Sequence, residues 1–467
     1  MGHTYQAIET YMDCLARAPD NAQARAELAG TFLRCGHLGE AIDHFRAAAK
    51  AAPQDAGVLA GLAAALLESG ERQEPEDLFL RVLTLDPKHH EARSSLAGLY
   101  LQRGDFTGAA EECRRALVFR PDCDYTRWHY TQALLHQGRW NEAAAELERY
   151  LPANPDSADA RYLFGLARLF AGDMLRGWDG LEGRFNRISA PARQRSAPEW
   201  GGEGLDGKTI LLWAEHDLSD AIQFSRYIPL VAGRGGQVIV ECRPELHALF
   251  RRMPGVNAVI SPDEQPRFDY QGALLSLPRI FRTELHTIPP SCPPSVPEDM
   301  RLEWRERLGS FPGLRLGICW AAGSSEFAGP KSAVPFPILA RLAALDGLYL
   351  FSLQPGGAAA ELSSLPEDLR IYPLAGDNST VLDMAAAILE LDLIITADNV
   401  LAHLAGTLGA PVWTLLPHAA DWRWMQDRTA SPWYPTMRLL RQSTPGDWEP
   451  VVDRIGLALH CPQVLES

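Results

Sequence analysis

The chain has 467 residues, 46% hydrophobic and 22% charged, with a net charge of −15. The length exceeds one compact core, so two or three domains are expected, and the composition is that of an ordinary soluble protein. The acidic balance argues against a sequence-independent grip on nucleic acid, which needs clustered Lys and Arg to replace counterions.

Three columns repeat along the first part of the chain every 34 residues: Pro19, Pro53, Pro87, Pro121 and Pro155; Gly36, Gly70, Gly104, Gly138 and Gly172; and Leu33, Leu67, Leu101, Leu135 and Leu169. That period is the length of one tetratricopeptide repeat, two helices closed by a proline, and predicts a helical solenoid over residues 1–188. The glycines fall at the turn inside each unit, where positive φ is wanted. Ala29, Ala63 and Ala97 let the first helix of a pair approach the second, and Ala41, Ala109 and Ala143 do so from the other side. Pro75 takes that second place in one unit, near a helix start where proline is tolerated. Gly2, Ala7 and Tyr11 share the columns of Gly36, Ala41 and Phe45, so the chain opens inside a repeat. Either a lone helix caps the array or more of it lies upstream. Solenoids of this kind hold peptides or proteins on a concave face, and Trp128, Gln132, His136 and Tyr162 occupy positions expected to line it. Trp178 and Phe185 are expected to cap the last apolar face.

No basic start and apolar run marks a secretory signal, and no stretch approaches the roughly 18 apolar residues of a membrane helix. The eight cysteines are scattered without metal-ligand spacing, so a reduced, cytoplasmic protein without a metal site is expected.

After a polar stretch, short β-rich runs alternate with helical segments. Runs at 209–214, 237–242 and 256–260 with helices at 218–232 and 244–253 predict a first βαβ half, residues 207–288. A proline cluster at 289–297 reads as a stiff linker. Runs at 315–320, 348–353, 393–397 and 412–415, with helices after Pro335, around 381–389 and from Asn399, predict a second half, residues 298–447. Residues 448–467 are expected to form a C-terminal helix. The cleft between the carboxyl ends of two such sheets is where ligands usually bind.

Within these halves, the run Trp213-Ala-Glu-His-Asp-Leu-Ser-Asp-Ala-Ile-Gln resembles the Gly-Asp loop that opens heptosyltransferase-like glycosyltransferases. Thr396-Ala-Asp-Asn-Val-Leu-Ala-His-Leu-Ala-Gly resembles their donor-binding segment. The run from Asp421-Trp-Arg-Trp to Arg441 is similar to bacterial proteins joining tetratricopeptide repeats to such a domain. The resemblance implies a GT-B fold of two Rossmann-like halves behind an α-solenoid. It implies a nucleotide-sugar donor as substrate, no cofactor or metal, and an acceptor at the first half, which the repeats are expected to present as a protein or peptide. Asp220 matches the family's base, Lys331 a lysine that neutralises diphosphate, and Asp398 a residue that holds sugar hydroxyls. Asn399, Val400 and Leu401 would offer backbone N–H groups at a helix start, with His403 one turn in. Ser324 and Ser325 are candidate phosphate contacts, and Gln354 a candidate nucleoside contact. The loop glycines of the family are replaced by Asp217 and Ser219, so a catalytically silent scaffold that binds proteins is the alternative expectation.

Overall fold

The computed structural model describes residues 2–187, 197–215, 217–322, 333–366, 369–374, 380–426 and 428–460. The chain divides into two compact units, Met1–Ser157 and Ala158–Ser467.

The first unit is the repeat solenoid. Helices Ala22–Arg34 and Leu38–Ala51, Ala56–Glu68 and Gln73–Leu85, His90–Gln102 and Phe106–Phe119, and Asp124–His136 and Trp140–Tyr150 form four successive hairpins behind an opening helix, Gly2–Arg17. Gly36, Gly70, Gly104 and Gly138 all hold φ between 70° and 96°, the left-handed turn that the glycine column anticipates. Ala29, Ala63, Ala97, Ala41, Ala109 and Ala143 are completely buried. Pro75 is the third residue of its helix and buried, so its missing N–H falls among those that a first turn leaves unbonded. Side chains of Asn21, Asp55, His89 and Asp105 cap the helices that follow them by accepting backbone N–H bonds.

A fourth periodic column emerges only in three dimensions. The guanidinium groups of Arg25, Arg93 and Arg127 donate back to the carbonyls of Pro19, Pro87 and Pro121, six residues earlier. Arg93 and Arg127 also pair with Glu112 and Glu146, each 19 residues on. Arg93 and Arg127 thus each tie an inter-repeat turn to the two helices beside it, while Arg25 ties its turn to its own helix.

The second unit begins with a further hairpin, Ala158–Phe170 and Met174–Leu181, which keeps the repeat register, including Gly172 at φ 84°. Its two helices meet almost backbone to backbone. A Cβ on Gly165 would lie 2.6 Å from the Gly180 carbonyl carbon and 2.8 Å from the Gly177 oxygen, and closer still to the Leu181 nitrogen. Because the obstacle is main chain, Gly165→Ala is expected to cost about 3 kcal/mol, the upper range for overpacking. Chemical denaturation followed by tryptophan fluorescence checks this; an unchanged midpoint would show that the hairpin can spread at no cost.

Two parallel sheets follow. The first has the order β3-β2-β1-β4, with β1 Thr209–Trp213, β2 Gln237–Glu241, β3 Ala258–Ile260 and β4 Tyr270–Ala273. The second has the order β10-β9-β8-β5-β6-β7, with β5 Leu314–Cys319, β6 Leu348–Ser352, β7 Ile371–Pro373, β8 Leu393–Ala397, β9 Val412–Leu416 and β10 Met437–Arg441. All five residues of β8 are buried, as a central parallel strand covered on both faces requires. Strand order reverses at β1, flanked by β2 and β4, and between β8 and β5. Such switch points open a crevice at the carboxyl ends of the strands. The helix predicted at 218–232 is broken into Leu218–Phe224, a 3-10 turn at Ser225–Tyr227, and Ile228–Ala232. Pro229 is the physical reason, since it offers no N–H to the carbonyl four residues back. The C-terminal helix runs Glu449–His460. Among the described residues no helix is long and apolar enough to cross a membrane.

Candidate functional site

The segment after β1 carries Glu215 and Asp217 into the helix Leu218–Phe224. Asp217 is its N-cap, its carboxylate accepting from the Ser219 N–H at 2.6 Å. Asp220 lies in the first turn, and its carboxylate is bonded by the Arg423 guanidinium. Arg423 comes from the other sheet, on the 3-10 turn Trp422–Trp424 after β9. Its remaining donors reach Asp421 Oδ1 and Gln223 Oε1, each at 2.7 Å. The turn ends at Met425 with φ 51°, a left-handed conformation for a side chain that disfavours it. Arg441, the last residue of β10, steadies it by donating to the Trp424 and Met425 carbonyls. One guanidinium therefore joins the carboxyl ends of both sheets.

Burial raises the Asp220 carboxyl to about 6; Arg423 pulls it down, while Asp217, Glu215 and Asp421 push it up. Asp398, which follows β8, is also raised by burial and by the charge of Asp421, while Arg423 pulls it down. The neighbouring Glu215 is held separately by Arg184, which donates to both its oxygens at 2.8–3.0 Å and to Ser276 Oγ at 2.8 Å.

His403 is buried in the helix Val400–Leu408. Its Nδ1 is 3.0 Å from the Tyr434 hydroxyl, and its ring stacks on Trp424 at 5.2 Å. Burial, Arg423 and Arg226 hold the imidazole well below its usual pKa, so it is neutral at pH 7. Tyr434 reaches it because its ring lies against Gly406, where a Cβ would meet ring carbons at 2.7–2.8 Å. Trp422, Trp424, Trp433 and Tyr434 are all buried and pack as one aromatic cluster.

Other anticipated residues are committed to local structure. Asn399 caps the helix, accepting from the Leu401 N–H at 2.9 Å and donating to the Ala321 carbonyl at 2.8 Å. Leu401 is thereby already bonded, and Val400 is the first helical residue. The Gln354 side chain accepts from Trp320 N and Ala321 N, at 3.2 and 2.9 Å, and donates to the Pro355 carbonyl. A nucleoside contact would have to break that clamp between the β5 and β6 loops. Ser324, Ser325 and Lys331 lie outside the described residues.

On the solenoid, Trp128, Gln132 and His136 follow one another at four-residue steps along Asp124–His136, all half-buried. Trp128 packs on Tyr150, its ring centroid 5.8 Å away, and His136 stacks on Phe106 at 4.3 Å. Tyr162 belongs to the second unit, where the Arg187 guanidinium covers its ring at 4.5 Å.

The residues that pattern reading missed are Arg423 and Arg184. Both are ordinary arginines in sequence, and only their partners, 203 and 31 residues away, reveal them. The one available signal was that Arg423 lies in the Asp-Trp-Arg-Trp run.

Comparison with known proteins bears on the repeats. Tetratricopeptide repeat family models match residues 1–56, 61–122 and 100–169. Protein FlbA of Caulobacter vibrioides is 26% identical over 318 residues, 62% of this chain and 53% of that protein, so the match spans about half the length of the relative. Among solved structures, YrrB, described as a TPR protein with an unusual peptide-binding site, is 16% identical. It covers 38% of this chain and 92% of its own with a TM-score of 0.35. MamA is 21% identical, covering 34% of this chain and 86% of its own, at 0.30. A tetratricopeptide repeat protein from Parabacteroides merdae is 18% identical, covering 41% and 75%, at 0.33. The N-terminal part of the chain is a tetratricopeptide-repeat solenoid, followed by a region of parallel sheets.

Proposed function

We propose that the chain is a glycosyltransferase of GT-B form, moving a sugar from a nucleotide-diphosphate donor to a protein acceptor brought by the repeats. What supports this reading is the ion pair between Asp220, in the helix after β1, and Arg423, after β9, whose charge also acts on Asp398 after β8. Asp220 is the general base. It takes the proton of the acceptor hydroxyl as that oxygen bonds to the anomeric carbon. The bond from that carbon to the diphosphate oxygen breaks, and the nucleoside diphosphate leaves with the electron pair. Asp398, whose carboxyl is raised by burial and by Asp421, is assigned to hydrogen-bond a sugar hydroxyl. Lys331 and the positive dipole end of the Val400–Leu408 helix, rather than its already bonded N–H groups, are assigned to the departing diphosphate.

A base with its pKa near 6 predicts the pH response. Transfer requires the ionised form, so activity is expected on a plateau above pH 7 and to fall about tenfold per unit below pH 6. The experiment is turnover of a panel of nucleotide-sugars, read as nucleotide release and as mass added to protein acceptors, from pH 4.5 to 8.5. Donor consumption without this acid limb would remove Asp220 as the base. The absence of consumption with every donor would favour the second reading, a catalytically silent scaffold working through the solenoid. The replacement of both loop glycines by Asp217 and Ser219 favours that alternative.

A further inference from the structure

We propose that Arg423 is a positioning residue of the transfer reaction, crossing from the later sheet to hold the Asp220 carboxylate ionised and fixed in direction. This deepens the transferase reading and rests on it for the role, although the coupling itself is measurable on the protein alone. The geometry is that of a fork reading a helix face. Asp220 and Gln223 are three residues apart, hence neighbours on one side of their helix, and Arg423 bonds both, through Nη2 and Nε. Asp421, two residues before Arg423, takes the Nη1 bond and also accepts the Arg423 backbone N–H at 3.0 Å, so the fork is braced from its own turn. The indole N–H of Trp433 donates to the Arg423 carbonyl at 3.0 Å, and the guanidinium lies 4.5 Å over the Trp422 ring. The arginine is thus held at both backbone and head before it meets Asp220, with its side chain only 13% exposed.

The charges around Asp220 explain why such a brace is needed. Glu215 and Asp217 face it from its own segment, and Asp421 from the later sheet, with Asp398 in the same cluster. Glu215 has Arg184 as its own partner, and His403 is neutral. Among the described residues Arg423 is the cation in contact with the Asp220 carboxylate, and without it that group would sit buried among like charges and take up a proton. Lysine would keep the charge but lose the fork, since one ammonium cannot reproduce the planar contacts.

The test is thermal melting between pH 4 and 9 of the wild type, Asp220→Asn, Arg423→Gln and the double variant. A carboxyl raised above its ordinary value near 4 stabilises the fold in its protonated form, and that advantage is lost as pH rises through the folded pKa. Asp220→Asn removes this loss, so the gap between it and the wild type is expected to open from about pH 4 and to level off above about pH 6. In the Arg423→Gln background the gap should go on opening to a pH at least about one unit higher. Arg423→Lys should restore the wild-type range, yet leave donor turnover down at least about tenfold. Superimposable gaps in the two backgrounds, or wild-type turnover with an unmoved acid limb in Arg423→Gln, would overturn Arg423 alone. A wild type that consumes no donor would overturn the transferase reading, and with it the role, even where the coupling persists. Arg423→Lys keeps the charge and serves where Arg423→Gln does not fold.

Discussion

Asp220→Asn is expected to slow sugar transfer about a hundred- to ten-thousand-fold, the range that a positioned general base contributes. The substitution keeps the size of the side chain and an oxygen that Arg423 can still bond, but removes the capacity to accept a proton at neutral pH. Binding of the nucleotide-sugar should survive, because the groups assigned to the donor follow β5 and β8 in the other sheet. The acid limb of the remaining activity should disappear along with the group that titrates near 6. Steady-state kinetics that separate kcat from KM check this. A variant with undiminished kcat would show that another group takes the proton.

Trp178→Ala is expected to destabilise the second unit by about 3–5 kcal/mol, as for other buried tryptophans cut to alanine. Trp178 is 1% exposed and stands edge-on to three rings: Trp422 at 5.5 Å, Phe224 at 6.2 Å and Trp433 at 6.3 Å. Its indole N–H donates to the Thr283 carbonyl at 2.9 Å, which truncation would leave unpaired. Phe224 ends the Asp220 helix and Trp422 precedes Arg423, so the cavity would open directly behind the ion pair. Truncation is therefore expected to lower activity as well as stability. Denaturant unfolding measures the first effect, and donor turnover well below the melting temperature the second. A loss under 1 kcal/mol would mean that the aromatic cluster can close around the gap.

The solenoid was legible because its constraints are local and repeated. A turn glycine, a close-packing alanine and a terminating proline recur at one interval, and Gly36, Ala41 and Pro53 do in the fold what their columns anticipate. The arginine column was less visible, since Leu59 replaces Arg25, Arg93 and Arg127 at its place in one unit. Parallel strands with apolar cores, such as Leu393–Ala397, were readable from composition alone. The short strands Tyr270–Ala273, Ile371–Pro373 and Met437–Arg441 were not, being brief or carrying polar residues such as Gln271, Arg438 and Arg441. Sequence period also does not decide packing. The hairpin from Ala158 to Leu181 keeps the repeat register yet belongs with the sheets, because Trp178 finds its partners there. At the site, Asp220, Asp398 and His403 were singled out by motif, and the structure gathers them around Arg423, Trp424 and Tyr434. What motif could not supply was the counter-charge: an ion pair spanning 203 residues leaves no local pattern.

On the proposed function, a nucleotide-sugar is expected to bind across the carboxyl ends of the two parallel sheets, beside Asp220 and Asp398. Amide hydrogen exchange of the whole chain, with and without the donor that most raises its melting temperature, tests this most directly. The expected result is protection concentrated in peptides covering 214–224 and 398–408, with the solenoid peptides of residues 22–150 unchanged. Protection confined to the solenoid, or no donor that shifts melting or exchange, would contradict it.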